Sequence, residues 1–107
     1  MFYDVKKVVI ITEKLIRDGV LKIVEAAGAT GYTVHETGGK GSRGIRSEER
    51  PHVVEAFFNV QVDVIATEAV ARQIAEEVAA TYFTNYSGIT YVQDVEILRP
   101  AKFEHHT

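Results

Sequence analysis

Val8-Val-Ile-Ile11 is a run of β-branched and aliphatic residues with apolar side chains on both faces. Such a run reads as a strand buried on both sides. Thr12 follows as a candidate helix cap, with Glu13 in the first turn. Ile16, Val20, Ile23, Val24 and Ala27 then recur at helical spacing and form one stripe. Gly19 interrupts that helix at a cost of about 1 kcal/mol relative to alanine, and Gly28 ends it. Gly31 to Thr37 reads as a second strand. Phe58, Val60, Val62 and Val64 alternate with Asn59, Gln61 and Asp63, the period of a strand with one wet face. Thr67 caps a second helix whose stripe is Ala71, Ile74, Ala75, Val78, Ala79 and Tyr82. Asn85 to Gly88 is a turn. Ile89, Tyr91, Val95 and Ile97 mark a last strand, with Gln93 as a flaw in the alternation.

The order is β-α-β-β-α-β. It predicts an α+β fold of the ferredoxin-like kind, a four-stranded antiparallel sheet with both helices on one face. The first strand, apolar on both faces, then needs a second cover, and another subunit supplies it most economically.

The chain has 107 residues, a net charge of −3, 46% hydrophobic residues and no cysteine. That length suits one compact domain. We read residues 1–103 as that domain and 104–107, after Pro100, as a disordered tail. Without cysteine there is no disulfide frame, which fits a reducing cytosol. No apolar run approaches the ~20 residues of a membrane span, and the first residues lack the apolar core of a signal peptide. The expectation is a cytoplasmic protein. An acidic balance argues against nucleic acid as the main partner.

The segment between the second and third strands, about 38–53, departs from this balance. Thr37-Gly-Gly-Lys-Gly-Ser-Arg-Gly-Ile-Arg46 interleaves four glycines with Lys40, Arg43 and Arg46 and the hydroxyls of Thr37 and Ser42. Glycine lets the backbone approach a ligand closely. Successive N–H groups can converge on an anion, and guanidinium forks add planar bonds to phosphate or carboxylate. A loop of about fifteen residues in a small domain is usually functional or disordered. The Gly-x-x-x-x-Gly-Lys-Ser/Thr spacing of a P-loop is absent. A small anion is the expected ligand.

These residues resemble a known family. Ile10-Ile-Thr-Glu-Lys14, Gly28-Ala-Thr-Gly-Tyr-Thr-Val34, Thr37-Gly-Gly-Lys-Gly-Ser-Arg43 with Arg46-Ser47, and Tyr82-Phe-Thr-Asn-Tyr-Ser-Gly-Ile-Thr-Tyr91 look like the PII-like signalling proteins. The likeness is strongest to the SbtB-like and carboxysome-associated branch. It implies a homotrimer that senses adenine nucleotides in clefts between subunits. The long loop would be the T-loop, and a membrane bicarbonate transporter or carboxysome-linked carbon uptake would be under its control. Carried onto this sequence, the nucleotide-binding residues would be Thr37, Gly39, Lys40, Gly41, Ser42, Arg43 and Arg46 at the loop, with Gly88, Ile89 and Thr90 before and within the last strand. The implied ligands are ADP, AMP or cyclic AMP, with bicarbonate as a second ligand, and no cofactor or metal.

The sequence also departs from PII proteins outside that branch. Their Thr-Gly-x-x-Gly-Asp-Gly-Lys segment, which supports a triphosphate, is here Thr84-Asn-Tyr-Ser-Gly-Ile-Thr90, with one glycine and no lysine. Gly38 to Glu55 holds no tyrosine for uridylylation. Two other readings compete. His35, His52, Glu36 and Glu55 flank the loop and could serve acid–base work in a small nucleotide-processing enzyme, but no spacing specifies a metal site or a nucleophile–base pair. An RNA-binding module would share the element order, but its aromatic sheet motif is missing.

Overall fold

The computed structural model describes residues 1–37 and 59–98. The loop 38–53 and the tail 104–107 lie outside the described residues. Strands β1 (Tyr3–Glu13), β2 (Thr33–Thr37), β3 (Asn59–Ala66) and β4 (Gly88–Ile97) form one sheet in the order β2-β3-β1-β4. Every pairing is antiparallel. Helices α1 (Arg17–Ala26) and α2 (Glu68–Tyr82) complete the expected β-α-β-β-α-β order. This is the ferredoxin-like arrangement.

Side chains alternate across a strand, so the register divides the sheet cleanly. Val8 and Ile10 on β1 lie opposite Val64 and Val62 on β3. All four are fully buried and pack with Val20, Val24, Ala71, Ile74 and Val78 of the helices. Both helical stripes read from the sequence therefore face this core. Thr67 caps α2 as expected, its Oγ1 accepting from the Val70 N–H at 3.4 Å. Gly28 ends α1 with φ +96°, a conformation glycine adopts without a Cβ penalty. Gly19 has a packing reason: a Cβ there would run into the Tyr82 ring, with Cζ 2.7 Å away.

The structure corrects the start of the first helix. The β1 ladder runs through Thr12 and Glu13, a 3₁₀ turn covers Lys14–Ile16, and α1 begins only at Arg17. Thr12 is thus a strand residue and not a cap, and Glu13 is outside the first turn. A Thr-Glu pair ahead of an apolar stripe imitates a helix start, but here tertiary pairing with β3 and β4 extends the strand. The second strand also starts later than read, at Thr33.

The apolar row of β4 faces away from the helices. Ile89, Tyr91, Val95 and Ile97 pair with Ile11, Val9, Val5 and Tyr3 on the outer side of the sheet. On the helix side, β4 contributes only Val92 among large apolar residues, beside Gly88, Thr90, Asp94 and Glu96. Val9 is already buried within the single chain, whereas Ile89 is 57% and Tyr91 40% exposed. The need for a second cover thus rests on β4 more than on β1.

Candidate functional site

The register places Thr37 and Gly88, from the two parts of the sequence-predicted site, at the same end of the sheet. Thr37, the last residue of β2, lies opposite Asn59, and Asn59 lies opposite Glu13. Gly88, the first residue of β4, lies opposite Thr12. Thr37 and Gly88 nevertheless sit on opposite edges, since β3 and β1 intervene. Three strand spacings of about 4.8 Å separate β2 from β4 by roughly 14 Å.

The turn before β4 is tied down by the end of β1. Thr12 Oγ1 donates to the Ser87 carbonyl at 2.7 Å. The Ser87 N–H donates to Glu13 Oε2 at 2.8 Å. Thr12 and Glu13 are both buried, at 3% and 8% exposure, and the two bonds are partly buried, so losing either leaves a poorly solvated polar group. They grip both backbone polar groups of Ser87 and fix where β4 starts.

Gly88 is crowded from within. A Cβ on it would lie 2.6 Å from Phe83 Cζ and 2.8 Å from Thr12 Oγ1. The glycine is therefore required by internal packing, a reason the sequence did not disclose. Ile89 points to the outer face and Thr90 to the helix face, since neighbours on a strand alternate. Ile89 is largely exposed. Thr90 Oγ1 is buried and has no hydrogen-bond partner among the described residues.

At the other edge, Lys14 Nζ donates to Glu36 Oε2 at 2.7 Å. This bond holds the Glu36 carboxyl below the usual carboxylate range, with a smaller contribution from Arg17. Glu36 lies opposite Val60, itself opposite Thr12. Lys14 thus reaches from the end of β1 across β3, over the fully buried Val60, to the end of β2. His35 is on the other face of β2, with Nε2 3.3 Å from Asp63 Oδ2. His35 and Glu36 consequently point apart and do not form an acid–base pair.

Gly39, Lys40, Gly41, Ser42, Arg43 and Arg46 lie outside the described residues, as do His52 and Glu55. Among the described residues no group of three or more His, Asp or Glu side chains is placed to hold a metal ion. Sequence reasoning missed Thr12, Glu13, Lys14 and Ser87. Their signal is tertiary: only the pairing register shows that the end of β1 reaches both site halves. A groove of about 790 Å³ opens at the far end of the sheet. Asp4, Glu68, Asp94 and Glu96 line it beside Lys6, an acidic lining unsuited to phosphate.

Comparison with known proteins agrees with this architecture. Residues 5–102 match the family model described as nitrogen regulatory protein P-II. The chain belongs to the P-II family. A solved structure from Thermus thermophilus, described as a PII-like signalling protein, is 34% identical. It superposes with a TM-score of 0.77 over 95% of this chain and 97% of that one. The CPII protein of Thiomonas intermedia K12, bound to ADP and bicarbonate, is 27% identical with a TM-score of 0.77, over 96% of this chain and 97% of that one. Another structure of that P-II-like protein, bound to ADP, AMP and bicarbonate, is 25% identical with a TM-score of 0.74, over 94% and 99% of the two chains. Among the described residues of this P-II protein, no helix is long and apolar enough to cross a membrane.

Proposed function

We propose that this P-II protein is a homotrimeric regulator that binds ADP or AMP in the clefts between its subunits, with bicarbonate as a second ligand. Cyclic AMP belongs to the same ligand set. The loop 38–53 presents the bound state to a partner, and a membrane bicarbonate transporter or a carboxysome-linked uptake system is the partner we assign. It acts by binding and not by turnover.

The observation that supports this reading is the position of Thr37 and Gly88. Thr37 and Gly88 share one end of the sheet but occupy opposite edges. Within one subunit strands β3 and β1 lie between those edges. Juxtaposing the β2 edge of one copy with the β4 edge of the next closes the site. The exposed Ile89 and Tyr91 on the outer sheet face supply apolar surface for such an assembly. The CPII relatives support the ligand class, since they are bound to ADP, AMP and bicarbonate. In the closed site, Thr37, Gly39, Lys40, Gly41, Ser42, Arg43 and Arg46 hold phosphate, and Gly88, Ile89 and Thr90 border the adenine.

Two measurements test this. Light scattering at micromolar concentration gives the mass of a trimer, and a monomer refutes the cleft. Calorimetry with AMP, ADP, cyclic AMP and ATP, with and without bicarbonate, gives ADP or AMP at least as tight as ATP. An ATP site that needs Mg²⁺ and is tighter than the ADP site by about tenfold or more refutes the reading.

A further inference from the structure

One short corner of this chain holds the residues that precede Thr37 and Gly88 of the proposed site. Thr12 and Glu13 hold Ser87, the residue before Gly88. Lys14, the next residue, holds Glu36, the residue before Thr37. The three contacts come from consecutive residues at the end of β1 and the 3₁₀ turn. Two edges of the sheet are therefore referred to one backbone position.

The Lys14–Glu36 pair contributes little to folding. The two side chains are 40% and 55% exposed, and pairs at such sites typically contribute about 0.2–1 kcal/mol. Its consequence lies in position and charge. Glu36 lies two residues before the loop that starts at residue 38, so an uncompensated carboxylate there would disfavour a phosphate held by the first residues of that loop. Lys14 neutralises it and at the same time fixes the end of β2 by reaching across Val60.

We infer that Lys14 is a positioning and charge-compensating residue of the nucleotide site, acting through Glu36 while Thr12 and Glu13 set the Ser87–Gly88 side from the same corner. The inference rests on the proposed function, because it names a determinant of that same site. It assigns a direction to phosphate number. A ligand with more phosphate charge feels an uncompensated Glu36 more strongly, so ADP depends on Lys14 more than AMP does.

The experiment is calorimetric titration of ADP and AMP into the wild type, Lys14→Ala, Lys14→Arg, Glu36→Gln and the Lys14→Ala/Glu36→Gln double variant. Lys14→Ala weakens ADP about three- to tenfold and AMP less, as expected for one charge acting across a partly exposed site. Lys14→Arg retains the wild-type ADP-to-AMP ratio. The double variant recovers most of the ADP affinity, because it holds no unpaired carboxylate. Melting midpoints of all variants stay close to the wild type, which separates the effect from unfolding. The inference is overturned if Lys14→Ala binds ADP within about twofold of the wild type, or if Lys14→Ala loses ADP and AMP affinity equally and the Lys14→Ala/Glu36→Gln double variant restores neither. If the wild type itself binds no adenine nucleotide, the proposed function falls and takes the inference with it.

Discussion

Gly88→Ala is the substitution that most directly questions how the start of β4 is built. The added methyl meets Phe83 Cζ at 2.6 Å and Thr12 Oγ1 at 2.8 Å, closer than side-chain carbons tolerate. The Phe83 ring is half-buried against the core, and Thr12 Oγ1 is engaged with the Ser87 carbonyl. Relief thus requires tilting the ring or stretching that hydrogen bond. Overpacking of this kind costs about 1–3 kcal/mol. Alanine offsets about 0.4–1 kcal/mol of this by restricting the unfolded chain. A net loss of about 1–2 kcal/mol, with a urea slope of about 2 kcal/mol/M, lowers the midpoint by about 0.5–1 M. The assay is urea unfolding followed by circular dichroism at one fixed protein concentration, because an assembly's apparent stability depends on concentration. Phe83→Leu removes the ring atoms that clash, so the Phe83→Leu/Gly88→Ala double variant loses less than the two single losses added. An unchanged or raised midpoint for Gly88→Ala, or strict additivity in the cycle, refutes the packing argument.

Three other outcomes are expected. Gly28→Ala destabilises by about 1 kcal/mol through its positive φ alone, since nothing lies within 4 Å of the added methyl, whereas Gly31→Ala, equally uncrowded and without positive φ, is neutral or slightly stabilising in the same assay. Acid weakens the fold through Glu36 and Asp94, whose carboxyls are held low by hydrogen bonds from Lys14 and Lys6. Because their folded values are depressed, their contribution is complete above the ordinary unfolded value of about 4 and is lost as pH falls below it. Glu36→Gln flattens that limb of a pH–stability profile, and a steeper limb contradicts the assignment. Arg46→Ala weakens ADP about ten- to a hundredfold if the guanidinium makes a charge-assisted bond to phosphate, and calorimetry showing less than about a twofold loss removes Arg46 from the site.

Much of the fold was legible because its periods are strong. The β3 alternation and the two helical stripes each match the buried side of the observed element. Thr67 and Gly28 punctuate α2 and α1 as their chemistry requires. The junction after β1 was illegible for a physical reason. Thr12 and Glu13 carry the local signature of a helix start, yet the pairing of Thr12 with both Val60 and Gly88 outweighs it. The reason for Gly88 was equally hidden, because the Phe83 ring that crowds it is brought there only by the turn after α2.

The candidate site was legible as residue types but not as an arrangement. Composition marks the loop as basic, and the turn before β4 as glycine-bearing, yet neither tells which edge of the sheet each occupies. The strand order decides it: β2 and β4 are the two outermost strands. A protein with its site halves on adjacent strands would close around a ligand alone. In this chain Thr37 and Gly88 lie roughly 14 Å apart at one end of the sheet, and the residue before each is tied by a side chain from the Thr12–Lys14 corner. Under the proposed function, ligand binding and assembly are a single problem, because the contacts that would complete the pocket are contacts between copies. A substitution that disperses the assembly, such as Tyr91→Glu on the exposed outer face of β4, should therefore abolish nucleotide binding without touching a site residue. A dispersed Tyr91→Glu monomer that still binds ADP with wild-type affinity would show that the pocket is complete within one chain.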